Sequence, residues 1–106
     1  MKLFQDQHLL VLGLGESGLA MVRWCVAQGA RVTVVDSREQ PPGLQALQER
    51  GWPVEFKHEG FHAGLVEGQD VRGVYKSPGL SPAQVAEVWQ AALAKGLPCG
   101  TELSLF

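Results

Sequence analysis

The hydrophobic positions fall into short continuous runs separated by stretches with helical spacing, and this rhythm predicts strands alternating with helices. Leu9 to Leu12 is an unbroken apolar run, the pattern of a strand covered on both faces. From Leu19 to Gln28, Val22, Cys25 and Val26 share one helical face, and Gly29 suits a C-terminal cap. Ala30 to Asp36 is short and β-branched, which predicts a second buried strand. Pro41-Pro42-Gly43 marks a turn into a short helix over Leu44 to Arg50, stopped by Gly51.

The second half continues the rhythm. Pro53 to Phe56 predicts a third strand, His62 to Val66 a single helical turn, and Val71 to Tyr75 a fourth strand. Ser81-Pro82-Ala83-Gln84 reads as a helix start, with Ser81 as cap, Pro82 in the first turn and Gln84 reaching back. Val85, Val88, Trp89, Ala92 and Leu93 then repeat as a core stripe, Gly96 closes the helix, and Leu97 to Cys99 predicts a fifth strand. The expected fold class is therefore α/β, a Rossmann-like, doubly wound, mostly parallel five-stranded sheet.

In such sheets ligands bind outside the carboxyl ends of the strands. The loops expected there are Gly13 to Gly18, Asp36 to Arg38 and Lys76 to Gly79, forming one rim. The first is a glycine fingerprint, Gly13-x-Gly15-x-x-Gly18, placed between a strand and a helix. Gly13 permits the tight turn, Gly15 lets a ligand approach the backbone, and Gly18 lets the helix pack closely on the strand. The N–H groups of Glu16, Ser17 and Gly18 would face an anion at the positive end of the helix dipole, predicting a pocket for a diphosphate-containing ligand. The Glu16 carboxylate would repel that ligand if it pointed inward, so its side chain is expected to face solvent.

Asp36 lies at the spacing of a ribose-binding acid, or else caps the strand end. Arg38 could lay its guanidinium against a base or stand solvated, and Asp36 beside it disfavours the extra phosphate of NADP. Ser77-Pro78-Gly79 is either a ligand-facing turn or an ordinary one.

Composition narrows the classes. With 106 residues, 45% hydrophobic and 19% charged, the chain is the size of one globular domain. A formal charge of −2 without long charged runs gives no electrostatic case for nucleic acid or an anionic membrane. Met1 to Gln7 lacks the apolar core of a signal peptide, no apolar run in these residues could span a bilayer, and two distant cysteines are expected to be reduced, so a cytoplasmic location is expected. His8, His58 and His62 suggest no metal site, and no G-x-x-x-x-G-K-[ST] loop for ATP occurs. On these residues alone the chain is expected to catalyse nothing.

Four pieces taken together resemble the N-terminal domain of the Mur ligases, most closely the branch that adds D-glutamate to UDP-N-acetylmuramoyl-L-alanine. They are Val11 to Gly18, Asp36-Ser37-Arg38 with Pro41-Pro42-Gly43, Ser77-Pro78-Gly79, and Glu102-Leu103. The resemblance implies a UDP-substrate domain over residues 1–100, with 101–106 starting the connection to a central ATP-binding domain. It further implies that Gly15, Glu16, Ser17 and Gly18 receive the diphosphate and that Asp36, Ser37 and Arg38 contact the uridine. Ser77, Pro78 and Gly79 would approach the muramoyl sugar. In the full-length ligase, ATP and Mg²⁺ would activate the substrate carboxylate as an acyl phosphate, which D-glutamate's amine attacks. Those steps would belong to domains beyond Phe106, and this stretch would need no cofactor of its own. The competing reading is an NAD(H)-binding domain of a dehydrogenase or regulatory protein, which the glycine fingerprint and Asp36 also allow.

Overall fold

A computed structural model describes residues 4–101. Five parallel strands form one sheet in the order β3-β2-β1-β4-β5: β1 is His8–Leu12, β2 Arg31–Asp36, β3 Val54–His58, β4 Val71–Lys76 and β5 Cys99–Thr101. Three α-helices connect them, α1 (Glu16–Ala27), α2 (Leu44–Arg50) and α3 (Ala86–Ala94), with a single 3₁₀ turn at Ala63–Leu65 before β4. The parallel α/β fold is the one the apolar rhythm predicts.

Side chains alternate across a strand, so the apolar run of β1 feeds two cores at once. Leu9 and Val11 pack with Met21, Val22 and Cys25 of α1 and Leu47 of α2. Leu10 and Leu12 pack on the other face with Val85, Val88 and Ala92, and with Leu65 and Val66 at the 3₁₀ turn. The helix after β1 and the helix after the neighbouring β4 thus lie on opposite faces. Their loops part above the β1–β4 pair, and that parting is the crevice in which parallel sheets hold ligands.

Several boundaries differ from the sequence pattern, each for a visible reason. Helix α1 begins at Glu16, three residues before the expected Leu19, with Gly15 as its N-cap. Gly18 therefore lies inside the first turn, where a Cβ would overlap the carbonyl oxygen of Gly13. Helix α3 starts at Ala86 rather than in the Ser81–Gln84 segment, although the reciprocal cap forms: Ser81 N–H donates to Gln84 Oε1 at 2.8 Å, and Gln84 N–H to Ser81 Oγ at 3.3 Å.

Leu93 does not join the core stripe. At about 100° per residue it stands about 140° around the helix from Val88. It is 61% exposed, and Ala91 is buried instead. The fifth strand begins at Cys99, two residues later than expected, because Leu97 still closes α3. Its N–H donates to Ala92 O at 3.0 Å beside the Gly96 N–H bond to Leu93 O at 3.0 Å, with Gly96 at φ 72.

The packing of Gly18 on Gly13 gives a direct prediction. Gly18→Ala forces the helix off the loop and is expected to cost about 1–3 kcal/mol or more in urea unfolding. Gly60→Ala, where a Cβ meets nothing within 4 Å, is expected to leave stability close to wild type.

Candidate functional site: a recess at the carboxyl ends of β1, β2 and β4

The three expected rim loops converge. Gly13, Gly15, Asp36, Ser37, Arg38, Ser77 and Gly79 line one open recess of about 410 Å³, together with Leu80 and Gln84. Each loop is anchored by backbone bonds to its neighbour. Gly13 N–H donates to Val35 O at 2.8 Å, and Ser77 N–H to Leu12 O at 2.9 Å. Gly13 sits at φ 90, and a Cβ there would press on Ser77 Cβ at 3.1 Å and Leu80 Cδ1 at 3.2 Å. The glycine thus serves both the turn and the close approach of the Ser77 loop.

Asp36 ends β2 with its side chain only 3% exposed, and its two oxygens fill with donors. Oδ2 accepts from Leu14 N–H at 2.8 Å and from Arg38 Nη2 at 2.8 Å. Oδ1 accepts from Arg38 N–H at 2.8 Å and Arg38 Nε at 3.0 Å. Burial pushes this carboxyl up. The Arg38 side chain, the Leu14 N–H and the Arg38 N–H more than offset that, and hold it below its ordinary value. The same contact raises the Arg38 guanidinium further. Asp36 is thus the clamp between the glycine loop and the Ser37-Arg38 turn, and a carboxylate with about four acceptor positions has all of them occupied.

Leu14 is held from its other side as well, by Gly43 N–H donating to Leu14 O at 2.9 Å. A Cβ on Gly43 would come within 3.0 Å of that oxygen. Pro41-Pro42-Gly43, legible in the sequence only as a turn, therefore buttresses the back of the glycine loop. Leu80 and Gln84 also escaped the sequence reading as recess residues. Gln84 carried a signal, since its capping-box position fixes it at the first turn after the Ser77 loop.

The remaining predicted residues divide. Ser17 is half-buried and Gly18 buried, both in the first turn of α1. The helix start has no side-chain cap, and its first N–H groups have no acceptor within the helix. Glu16 is exposed and lines a different recess, with Arg23, Arg50 and Trp52. Pro78 is exposed and shapes the turn without lining the recess. Glu102-Leu103, and the stretch 102–106 of the expected connection, lie outside the described residues.

A larger recess of about 620 Å³ opens at the other end of the sheet, beside His8, Arg31, Asp70, Arg72 and Lys95. Three of these residues are committed to each other, and Lys95 Nζ donates to the carbonyls of Val66 and Gln69. Asp70 binds Arg31 Nη2 at 2.9 Å and His8 Nδ1 at 2.6 Å, and these two partners draw its carboxyl down to about 2. His8 Nε2 also meets Thr33 Oγ1 at 2.6 Å. His62 likewise has local partners, Glu59 at 2.7 Å and the Gly64 N–H at 3.1 Å. Among the described residues no three His, Cys, Asp or Glu are grouped to hold a metal, and no helix is long and apolar enough to cross a membrane. Cys25 is buried, which pushes its thiol up to about 12.

A five-stranded parallel sheet with a glycine loop at the β1–β4 crevice defines a Rossmann-like α/β domain. The family profile described as "Mur ligase MurD-like, N-terminal domain" matches residues 7–100. The chain belongs to this family. It is 56% identical over 106 residues to the UDP-N-acetylmuramoylalanine--D-glutamate ligase of Albidiferax ferrireducens, covering all of this chain and 21% of that protein. The enzyme of the same name from Polaromonas sp. is 54% identical, covering all of this chain and 18% of the relative. That of Burkholderia pseudomallei is 47% identical over 104 residues, covering 96% of this chain and 20% of the relative. The chain thus spans about one fifth of the length of these relatives. Among solved structures, a cinnamyl alcohol dehydrogenase from Sorghum bicolor superposes with a TM-score of 0.59 at 20% identity, over 93% of this chain and 34% of that one. At that identity the likeness is one of fold.

The clamp makes a prediction about stability. Asp36→Ala leaves the buried Leu14 N–H without its acceptor and is expected to cost about 1–3 kcal/mol in urea unfolding. Because the folded carboxyl titrates below its unfolded value, its contribution is present above the ordinary carboxylate range and fades as pH falls through the folded value. The gap between wild type and Asp36→Ala is therefore expected to narrow in acid, as read by unfolding at a series of pH values.

Proposed function

We propose that this domain holds the UDP end of UDP-N-acetylmuramoyl-L-alanine within a cytoplasmic ligase that adds D-glutamate to it. The observation that carries the reading is the convergence of three loops on one recess whose wall includes Gly15, the bare N-cap of α1. Diphosphate would accept from the N–H groups of Glu16, Ser17 and Gly18, where the helix dipole favours negative charge. A Cβ at Gly15 would meet nothing within 4 Å, so the space beside it is open to a ligand.

The uridine would lie against Ser37 and Arg38. Arg38 spends Nε and Nη2 on Asp36, which fixes the plane of its guanidinium and leaves that face for a base. Asp36 can take a uridine donor only by releasing one of its present bonds. Its main part would be to hold the loop and the arginine in place before the nucleotide arrives. Ser77 to Gly79 would approach the sugar.

Activation of the substrate carboxylate with ATP and Mg²⁺, and attack by D-glutamate's amine on the acyl phosphate, belong in this reading to the remainder of the full-length protein. The glycine loop here lacks the Lys-[Ser/Thr] pair that grips ATP phosphates, so the residues of this chain do not fit that role.

Amide shifts during titration test the reading. UDP is expected to move the Ser17 and Arg38 amides, while NADH at the same concentration leaves them in place. The reverse pattern would replace it with a dinucleotide site. Arg38→Ala is expected to weaken UDP binding by about tenfold, the scale of one lost charge-assisted contact.

A further inference from the structure

The two polar ends of the Gln84 side chain have different fates. Its Oε1 accepts from Ser81 N–H at 2.8 Å, while Gln84 N–H donates back to Ser81 Oγ at 3.3 Å. A backbone N–H can only donate, so the amide atom facing Ser81 is the oxygen. The other end, Nε2, carries two N–H donors without a hydrogen-bond partner among the described residues. Gln84 also lines the recess formed by the three loops. An amide whose oxygen is tied to its own turn is thus a donor held at the edge of a ligand site.

Its place along the recess follows from the sheet. The loops after β2, β1 and β4 stand in that order across the edge. The outer two are separated by two strand spacings, about 10 Å. Gln84 is on the β4 side, joined to the Ser77 turn by short links. Leu80 N–H donates to Ser77 O at 3.1 Å, and Lys76 Nζ to Leu80 O at 3.0 Å. With uridine against Arg38 and diphosphate at the start of α1, the part of the ligand that reaches this wall is the part that follows the diphosphate.

We propose that Gln84 is a specificity-determining residue for the sugar of the ligand, its Nε2 donating to a hydroxyl or N-acetyl carbonyl oxygen. The assignment rests on the uridine-nucleotide reading of the recess. The bond to Ser81 does two things for it. It orients the amide before the ligand arrives, which lowers the cost of ordering a flexible side chain. It also uses up the acceptor, so this side chain offers the sugar a donor alone. A ligand that ends at its second phosphate gains nothing from Gln84.

Calorimetric titration of the full-length protein with UDP and with UDP-N-acetylmuramoyl-L-alanine tests the contact. Gln84→Glu keeps an oxygen for Ser81 N–H and puts an acceptor in place of both donors. It is expected to weaken the sugar-bearing ligand by about tenfold and UDP by less than about twofold. Equal weakening of the two overturns the proposal, because the added carboxylate then acts on the phosphates. Unchanged affinity for both overturns it as well. Ser81→Ala removes the other half of the cap and leaves the amide in place, and its affinities are expected to stay within about twofold of wild type. If it weakens the sugar-bearing ligand as much as Gln84→Glu does, Gln84 acts only through the turn and the proposal fails. A wild type that binds neither ligand overturns the uridine-nucleotide reading itself, whereas UDP binding in all three proteins confines a failure to Gln84.

Discussion

The site rests on one carboxylate. Asp36 ends β2 inside the protein, and its oxygens accept from the Leu14 N–H on one side and from Arg38 on the other. An ionised acid this well buried is tolerable only when its acceptors are filled, and here filling them dictates geometry. The loop after β1 and the turn after β2 must come together around it. The backbone of Leu14, fixed at its N–H by Asp36 and at its carbonyl by the Gly43 N–H, has no freedom to drift, and Gly15 and the start of α1 follow directly from it.

Around that clamp the fold does the coarse positioning. Because β1 alternates its leucines and Val11 between two cores, α1 is drawn to one face and α3 to the other, and the loops of β1 and β4 are parted. Glycines then close the remaining distance at two points. Gly13 admits the Ser77 loop, and Gly18 admits the Gly13 carbonyl into the first turn of α1. The result is a helix N-terminus without a side-chain cap at the edge of a recess whose single cation, among its lining residues, is oriented in advance by its neighbour. Preorganisation of this kind reduces the ordering cost of binding a flexible nucleotide.

Much of this was legible in the residues. The apolar run of β1, the glycine fingerprint and the helix Leu44–Arg50 are local signals, and the structure follows them closely. The three loops of the rim could be placed together because a parallel sheet puts all its strand ends on one side. What escaped was set by long-range contact. Nothing local says that Gly43 supports Leu14, or that Asp36 reaches across to the Leu14 N–H, whereas the strand-end cap offered for Asp36 does form, with the Arg38 N–H. Leu93 fits a helical stripe in sequence, yet the phase of α3 on the sheet turns it outward. Leu97 is apolar like a strand residue, but the cap of α3 claims its N–H first.

The central claim is that Asp36 holds the glycine loop in its binding shape before any ligand arrives. Hydrogen exchange at the Leu14 amide, measured in the ligand-free protein, tests this most directly. The account predicts exchange as slow as that of the β1 amides in the wild type, and fast exchange confined to the loop in Asp36→Asn while β1 stays protected. A Leu14 amide that exchanges at the rate of an open loop in the wild type would contradict it.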